Sequence, residues 1–107
     1  MTLLGFSETT VFTKKIVELL TDEQLANLQI LLCEHPDFGK LIKDSGGIRK
    51  VRWSAKRKGK SGGIRLLYYW IVSKDRILFL DVYAKNEKEE LTKAELKVLR
   101  RIVGELR

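Results

Sequence analysis

Residues 46–83, GGIRKVRWSAKRKGKSGGIRLLYYWIVSKDRILFLDVY, decide the fold of this 107-residue chain. Residues 48–54 alternate in character, residues 64–72 are rich in aromatic and β-branched side chains, and residues 77–83 form a near-continuous apolar run. All three patterns are typical of β-strands. The last two runs are separated by four turn-forming residues, which predicts an antiparallel hairpin with the apolar run as a central strand.

The first of these strands has two different faces. Ile48, Lys50 and Arg52 share one face, whereas Arg49, Val51 and Trp53 share the other. Because successive side chains of a strand point to opposite sides, a strand with cations on one face and Val51 and Trp53 on the other lines a surface.

A basic, glycine-containing segment follows that strand. Residues 55–63 hold four cations and three glycines, with no apolar side chain longer than alanine, which predicts a flexible loop. Between Lys40 and Arg65 there are ten Lys or Arg residues and one acid, so this window carries +9 while the whole chain carries +7. The remainder therefore sums to −2. Basicity confined to one window indicates a site for a polyanion, with nucleic acid ahead of a membrane surface.

Helices are predicted on both sides of this stretch. From Thr9 or Thr10, an apolar stripe at helical spacing is formed by Val11, Phe12, Ile16, Leu19 and Leu20. A capping box over residues 21–24 starts a second helix at Asp22, which ends at His35 before Pro36. Its stripe is formed by Leu25, Leu28, Ile30, Leu31 and Leu32. A second capping box, over residues 92–95, starts the last helix, which carries Leu96, Leu99, Ile102, Val103 and Leu106.

A short strand over residues 2–8 completes the order β-α-α-β-β-β-α. This order predicts one α+β domain over residues 1–107, with a helical hairpin packed on a mostly antiparallel sheet, and residues 37–47 as a connection. No apolar run reaches the roughly 20 residues of a membrane span. A single cysteine, Cys33, fits a reducing cytoplasm. The single histidine, His35, disfavours a metal site and histidine-based catalysis, and we expect no cofactor.

Two motifs on this framework are shared with a known group of proteins. GKxGGxR enters the third strand and YxKNE leaves the fourth. With these motifs and the order of its elements, the chain resembles the RelE/ParE-like superfamily of bacterial toxins, and within it the HigB-type ribosome-dependent mRNA interferases. The resemblance covers nearly the whole chain. It implies a RelE-like microRNase fold that enters the ribosomal A site and cleaves mRNA, and a cognate antitoxin of the HigA-like helix-turn-helix kind.

The resemblance also implies roles for individual residues. Arg65 falls where the family places an arginine on the scissile phosphate, and Lys85 and Asn86 fall on the segment that completes the active site. Lys50 and Arg52 fall on the basic strand. In RelE itself an arginine stands at the position of Asn86 and a tyrosine follows shortly afterwards. Leu91 and Thr92 supply no such tyrosine, so the general base stays open.

Cleavage of RNA needs a base for the 2′-hydroxyl, stabilisation of the phosphorane and an acid for the leaving oxygen. Crowding by like charges lowers the pKa of a lysine in general, which makes Lys56, Lys58, Lys60 and Lys85 candidate bases. Arg65 and Arg52 would hold the phosphate as fixed charges. Tyr83 or Tyr69 would orient the attacking hydroxyl or stack a base. The RNA itself would be bound by Lys50, Arg52, Lys56, Arg57 and Lys60.

Two other functions remain open at this point. A ParE-like toxin would inhibit gyrase and cleave nothing, although such chains generally lack the dense cationic set present here. A non-catalytic RNA-binding module would use the basic loop for salt-dependent binding alone. The acidic residues between Glu87 and Glu90 are interpreted as a solvated face, with capping of the last helix as the alternative.

Overall fold

The computed structural model describes residues 3–54 and 63–106. The strands are β1 (Gly5–Glu8), β2 (Lys40–Leu41), β3 (Ile48–Ser54), β4 (Gly63–Ile71) and β5 (Arg76–Ala84). The helices are α1 (Thr10–Leu19), α2 (Asp22–Glu34) and α3 (Lys93–Glu105), and a 3₁₀ turn over Val72–Lys74 joins β4 to β5. The α+β fold and the element order are confirmed, with one addition. The two-residue strand β2 lies within the segment that was predicted as a connection.

The five strands form one sheet in the order β1-β5-β4-β3-β2. The strand β1 pairs in parallel with β5, and all other pairs are antiparallel. The antiparallel hairpin of β4 and β5 is as predicted, and β5 is an interior strand between β1 and β4, while β4 occupies the centre of the sheet. The parallel pair joins strands more than 60 residues apart in sequence, with Gly5 opposite Arg76.

Helices cover both faces of the sheet. The hairpin of α1 and α2 packs on one face, where Phe12, Leu28 and Leu32 are buried against strand residues that include Leu66 and Phe79. The helix α3 packs on the opposite face through Leu99 and Val103, which share a second cluster with Ile48, Leu67, Leu80 and Tyr83. The strands β4 and β5 are therefore buried on both faces, which explains why their sequences are almost continuously apolar.

The helix boundaries follow from capping residues. Thr21 and Gln24 form a complete capping box at α2, and Thr92 and Glu95 form another at α3, as the sequence predicts. The α2 C-cap is His35, whose backbone N–H donates to the Leu31 carbonyl. The predicted apolar stripes are wrong at two residues, because Val11 and Ile30 are more than half exposed. A helix buries only the side facing the sheet, and both residues sit at the edges of their stripes.

A β-bulge in β5 changes which side chains face α3. Leu67 of β4 lies opposite Asp81, whereas the next residue, Tyr68, lies opposite Phe79, so Leu80 is an extra residue in β5. As a result Leu80 and Tyr83 lie in the same cluster although they are three residues apart.

Residues of α1 hold this bulge in place. The Thr9 hydroxyl at the start of α1 donates to the Leu80 carbonyl over 2.7 Å. The Lys15 ammonium lies 2.9 Å from the largely buried Asp81 carboxylate. Asp81 Oδ1 also accepts from the Val82 N–H over 2.8 Å. Both the extra residue and its neighbour are therefore fixed to the helix behind the sheet.

Candidate RNA-cleavage site

The sheet places three predicted site residues in one row. Arg52 of β3 lies opposite Arg65 of β4, and Arg65 lies opposite Tyr83 of β5. Directly paired residues of neighbouring strands point to the same face, which here is the face covered by α3. The bulge before Tyr83 is what puts it on this face: uninterrupted alternation from Phe79 would have turned its side chain toward α1 and α2.

Arg65 is the buried member of the row. Its side chain is 6% exposed, and its terminal nitrogen Nη2 lies 3.7 Å from Glu89 Oε2. Nη1 donates to the Ile64 carbonyl over 3.4 Å, while the buried Nε has no hydrogen-bond partner among the described residues. A guanidinium has five N–H donors, and a buried one is normally satisfied. Arg65 thus has donor capacity left for an anion at this face.

A glycine makes room for this guanidinium. A Cβ on Gly63 would lie 2.8 Å from the carbonyl oxygen of Trp53 and 3.5 Å from Arg65 Nη1. The first distance is a backbone clash, so any side chain would push β3 and β4 apart at the site. A glycine is therefore required at position 63, because β3 and β4 approach each other closely there.

Tyr83 is buried and faces the segment that follows β5. Its hydroxyl donates to the Glu89 carbonyl over 3.3 Å, and the Lys88 ammonium lies 5.1 Å from the centre of its ring. Burial raises the pKa of Tyr83 above its usual value, although the neighbouring Arg65 charge lowers it. The phenol is consequently protonated at neutral pH and can donate a proton or a hydrogen bond.

The acidic segment is not simply a solvated face. Glu89 reaches Arg65 and Tyr83, and Glu87 accepts from the Ala84 N–H over 3.2 Å. Lys88 pairs with Glu95 of the α3 capping box, and this lowers the pKa of Glu95. Sequence reasoning missed Glu89 and Lys88 as neighbours of the site, because no local signal indicates that a segment folds back across a strand end.

The other predicted residues lie around this row. Lys50 lies two residues before Arg52 in β3, on the same face. The cross-strand partner of Lys50 in β2 is Lys40. Lys85 and Asn86 are exposed in the turn directly after β5, where the Lys85 N–H donates to the Gly63 carbonyl over 2.9 Å. Four predicted residues fall outside the described part of the chain: Lys56, Arg57, Lys58 and Lys60. Tyr69, the alternative to Tyr83, is half-buried further along β4.

A groove of about 730 Å³ opens beside the row. Tyr83 and Arg52 line it, together with Lys50, the strand β2 and the residues before α3. This groove was not predicted from the sequence, since its outer wall comes from the segment predicted as a connection.

In residues 3–54 and 63–106, none of the helices has both the length and the apolar character that crossing a bilayer requires. The site faces a groove between the sheet and the residues before α3, whose charged lining consists of Lys40, Lys43, Lys50, Arg52 and Glu90.

Comparison with known proteins agrees with this architecture. A family model described as the RelE toxin of the RelE/RelB toxin–antitoxin system matches residues 9–107. The free E. coli toxin RelE, in a doubly substituted form, superposes with a TM-score of 0.63 at 16% identity, covering 94% of this chain and 96% of that one.

Two further E. coli structures are similar. The intact RelBE toxin–antitoxin complex matches with a TM-score of 0.56 at 20% identity, over 74% of this chain and 93% of that one. The isolated RelE toxin in another crystal form matches with a TM-score of 0.54 at 22% identity, over 92% and 98%. At these identities the superpositions show a shared fold, and the family model covers nearly the whole chain. The chain belongs to the RelE toxin family.

Proposed function

We propose that this protein is the toxin of a type II toxin–antitoxin system and acts as a ribosome-dependent endoribonuclease on mRNA in the A site. The observation that carries the proposal is the buried Arg65, whose Nε has no hydrogen-bond partner in the described part of the chain and which lies in one row with Arg52 and Tyr83. Family membership supports a toxin with an antitoxin partner. A HigA-like partner, and a place of action in the cytoplasm with the ribosomes, are parts of the same proposal.

The proposed reaction is an internal displacement at phosphorus. A base removes the proton of the 2′-hydroxyl, the 2′-oxygen bonds to the adjacent phosphorus, and the P–O5′ bond breaks. The products are a 2′,3′-cyclic phosphate and a 5′-hydroxyl, whose oxygen takes a proton from an acid. The reaction needs no co-reactant.

Arg65 and Arg52 would stabilise the phosphorane, because negative charge builds up on its non-bridging oxygens during the attack. A buried, fixed guanidinium is suited to this role, since it is already desolvated and oriented before the substrate arrives. Removal of one such preorganised donor typically lowers the rate about 100-fold or more.

Tyr83 would serve as a donor, since burial keeps its phenol protonated at neutral pH. The base would then be a lysine, for which Lys85 and Lys58 are the candidates. Asn86 carries no titrating group and would contact the RNA through its amide.

The test is induced expression in bacteria followed by primer extension on an abundant translated mRNA. Wild type should arrest growth and give codon-phased cuts. Arg65→Lys and Arg65→Met preserve most of the side-chain volume, and both should lose the cuts while still co-purifying with the antitoxin and keeping the wild-type circular dichroism. Arrest without cuts would indicate a gyrase inhibitor instead. Absence of arrest would leave a non-catalytic RNA-binding protein.

A further inference from the structure

The outer wall of the groove carries an unusual pair of like charges. Lys40 of β2 and Lys50 of β3 are direct cross-strand partners, and both line the groove with Lys43 and Arg52. Like charges placed directly opposite each other destabilise a sheet. Within the described residues, none of these four cations forms an ion pair with an acid. Glu90 also lines the groove, but none of the ion pairs among the described residues joins it to these cations, which leaves them available to an external anion.

The same wall presents large apolar side chains to solvent. Phe38 and Leu41 are 50% and 57% exposed, and both line the groove. Exposed aromatic groups beside cations are the combination that proteins use for single-stranded nucleic acid, because bases stack on the ring while cations meet the phosphates. An acidic peptide would satisfy the cations equally well, but binding of such a peptide does not explain why an exposed aromatic ring lies beside them.

Phe38 is held rigidly although it is exposed. The buried Tyr68 hydroxyl donates to the Pro36 carbonyl over 2.6 Å and accepts from the Gly39 N–H over 2.9 Å. Arg49 Nη1 donates to the carbonyls of Asp37 and Gly39 over 3.1 and 2.8 Å. Four hydrogen bonds therefore fix the backbone on both sides of Phe38, so a base can stack on it without first ordering a loop.

The groove is continuous with the candidate cleavage site, since Arg52 and Tyr83 belong to both. Its volume of about 730 Å³ is within the range of roughly 300–1,000 Å³ that is typical of small-molecule sites, which suits a nucleotide. We propose that this groove is a nucleotide subsite: Phe38 binds the base of a nucleotide next to the scissile phosphate, and Lys40 and Lys50 bind its phosphate.

This proposal rests on the proposed function for its ligand, single-stranded RNA, yet it is tested separately by binding. The probe is a fluorescein-labelled single-stranded hexaribonucleotide with 2′-O-methyl groups, which cannot be cleaved. Its affinity for the purified full chain is measured by fluorescence anisotropy at several salt concentrations. The variants are Phe38→Ala, Phe38→Trp and Lys40→Gln. The matched controls are Ile30→Ala, at an apolar residue that is also at least half exposed, and Lys14→Gln, both on helices that cover the opposite face of the sheet.

Loss of one stacked base should weaken binding by about fivefold or more in Phe38→Ala, with recovery in Phe38→Trp. Lys40→Gln should lower the slope of log affinity against log salt by about 1. The two controls should bind as wild type does. Thermal unfolding verifies that each variant is folded.

Three outcomes would overturn the subsite. One is an absence of oligonucleotide binding by wild type, and another is equal affinity in Phe38→Ala and Ile30→Ala. The third is unchanged oligonucleotide affinity in Phe38→Ala together with weakened binding of the purified cognate antitoxin, which would make the groove a protein-docking surface. If wild type binds through Phe38 but translating extracts show no cleavage, the proposed function fails and the subsite stands.

Discussion

The carboxylate of Glu89 lies 3.7 Å from the guanidinium of Arg65, and the two side chains differ sharply in exposure. Arg65 is 6% exposed and cannot move away, whereas Glu89 is 63% exposed and can turn into solvent. Ion pairs with an exposed partner contribute about 0–1 kcal/mol. Glu89 therefore occupies the position that suits an incoming phosphate, and its displacement by substrate costs little.

Glu89→Gln should increase the affinity of the toxin for the uncleavable oligonucleotide by about twofold to fivefold at low salt, because the phosphate no longer competes with a carboxylate. Fluorescence anisotropy measures the change. Glu18→Gln, an exposed residue of α1, alters the net charge equally and serves as the control. An equal gain in both variants would mean that net charge, and not occupancy of Arg65, limits binding.

Tyr83→Phe should slow cleavage by about 100-fold, because the proposed function gives the hydroxyl a role in proton donation. Oligonucleotide affinity should change little. The loss in unfolding free energy should be under about 1 kcal/mol, since the hydrogen bond to Glu89 is a long 3.3 Å. Quantified primer extension in a translating extract measures the rate. Tyr69→Phe is the control, and a loss there with none in Tyr83→Phe would exchange the roles of the two tyrosines.

Tyr68→Phe should destabilise the fold by about 1–3 kcal/mol, because the Pro36 carbonyl and the Gly39 N–H lose their buried partner. Urea unfolding at neutral pH measures the loss. Retention of wild-type stability would mean that water replaces the phenol at both groups.

Stability should also respond to alkaline pH. Burial is the largest influence on the pKa of Tyr68 and raises it, against lowering by the Gly39 hydrogen bond and Arg49. The unfolded chain therefore releases this proton near pH 10 while the folded chain retains it, so the free energy of unfolding falls as pH rises above about 10. Unfolding in urea between pH 8 and 11 should show a shallower decline in Tyr68→Phe. Burial raises the pKa of Tyr83 as well, so Tyr83 also lowers the free energy of unfolding at alkaline pH. Part of the decline should therefore remain in Tyr68→Phe. Identical slopes in wild type and variant would contradict this assignment.

Two glycine substitutions should have opposite effects. A Cβ on Gly39 would lie 2.8 Å from Tyr68 Cε1 and 3.0 Å from Arg49 Cβ, so Gly39→Ala should destabilise by about 1–3 kcal/mol through overpacking. A Cβ on Gly104, inside α3, would meet nothing within 4 Å. Gly104→Ala should therefore stabilise by about 0.5–1 kcal/mol through helix propensity. Thermal unfolding of both variants measures the effects, and a gain at Gly39 would show that the Tyr68 ring has room to shift.

Local chemistry explains what the sequence predicts correctly. The two capping boxes, at Thr21 and Thr92, are signals within four residues, and they fix the starts of α2 and α3. The β4–β5 hairpin is likewise local. The turn sets the register from Ile71 opposite Arg76 to Tyr68 opposite Phe79, whereas the bulge at Leu80 shifts it by one residue and so brings Arg65 opposite Tyr83.

Features that depend on contacts between residues far apart in the sequence were not predicted. The strand β2 has two residues and no pattern of its own, and it exists because Lys40 and Leu41 pair with β3. The bulge at Leu80 is held by Thr9 and Lys15 of α1, so simple alternation along β5 gives the wrong face for Tyr83. Glu89 reaches Arg65 because the chain reverses after β5, and no sequence signal in this segment predicts that reversal.

The parallel pairing of β1 with β5 has a consequence for the order of events during synthesis. Gly5 cannot meet Arg76 until the hairpin has left the ribosome, and contacts of such long sequence separation form late in folding. The helical hairpin emerges first, but the sheet that buries its apolar side is complete only with β5, which begins more than 40 residues after α2 ends. A nascent chain therefore has no assembled Arg65–Tyr83 row until β5 has emerged, after α1, α2 and the strands before it.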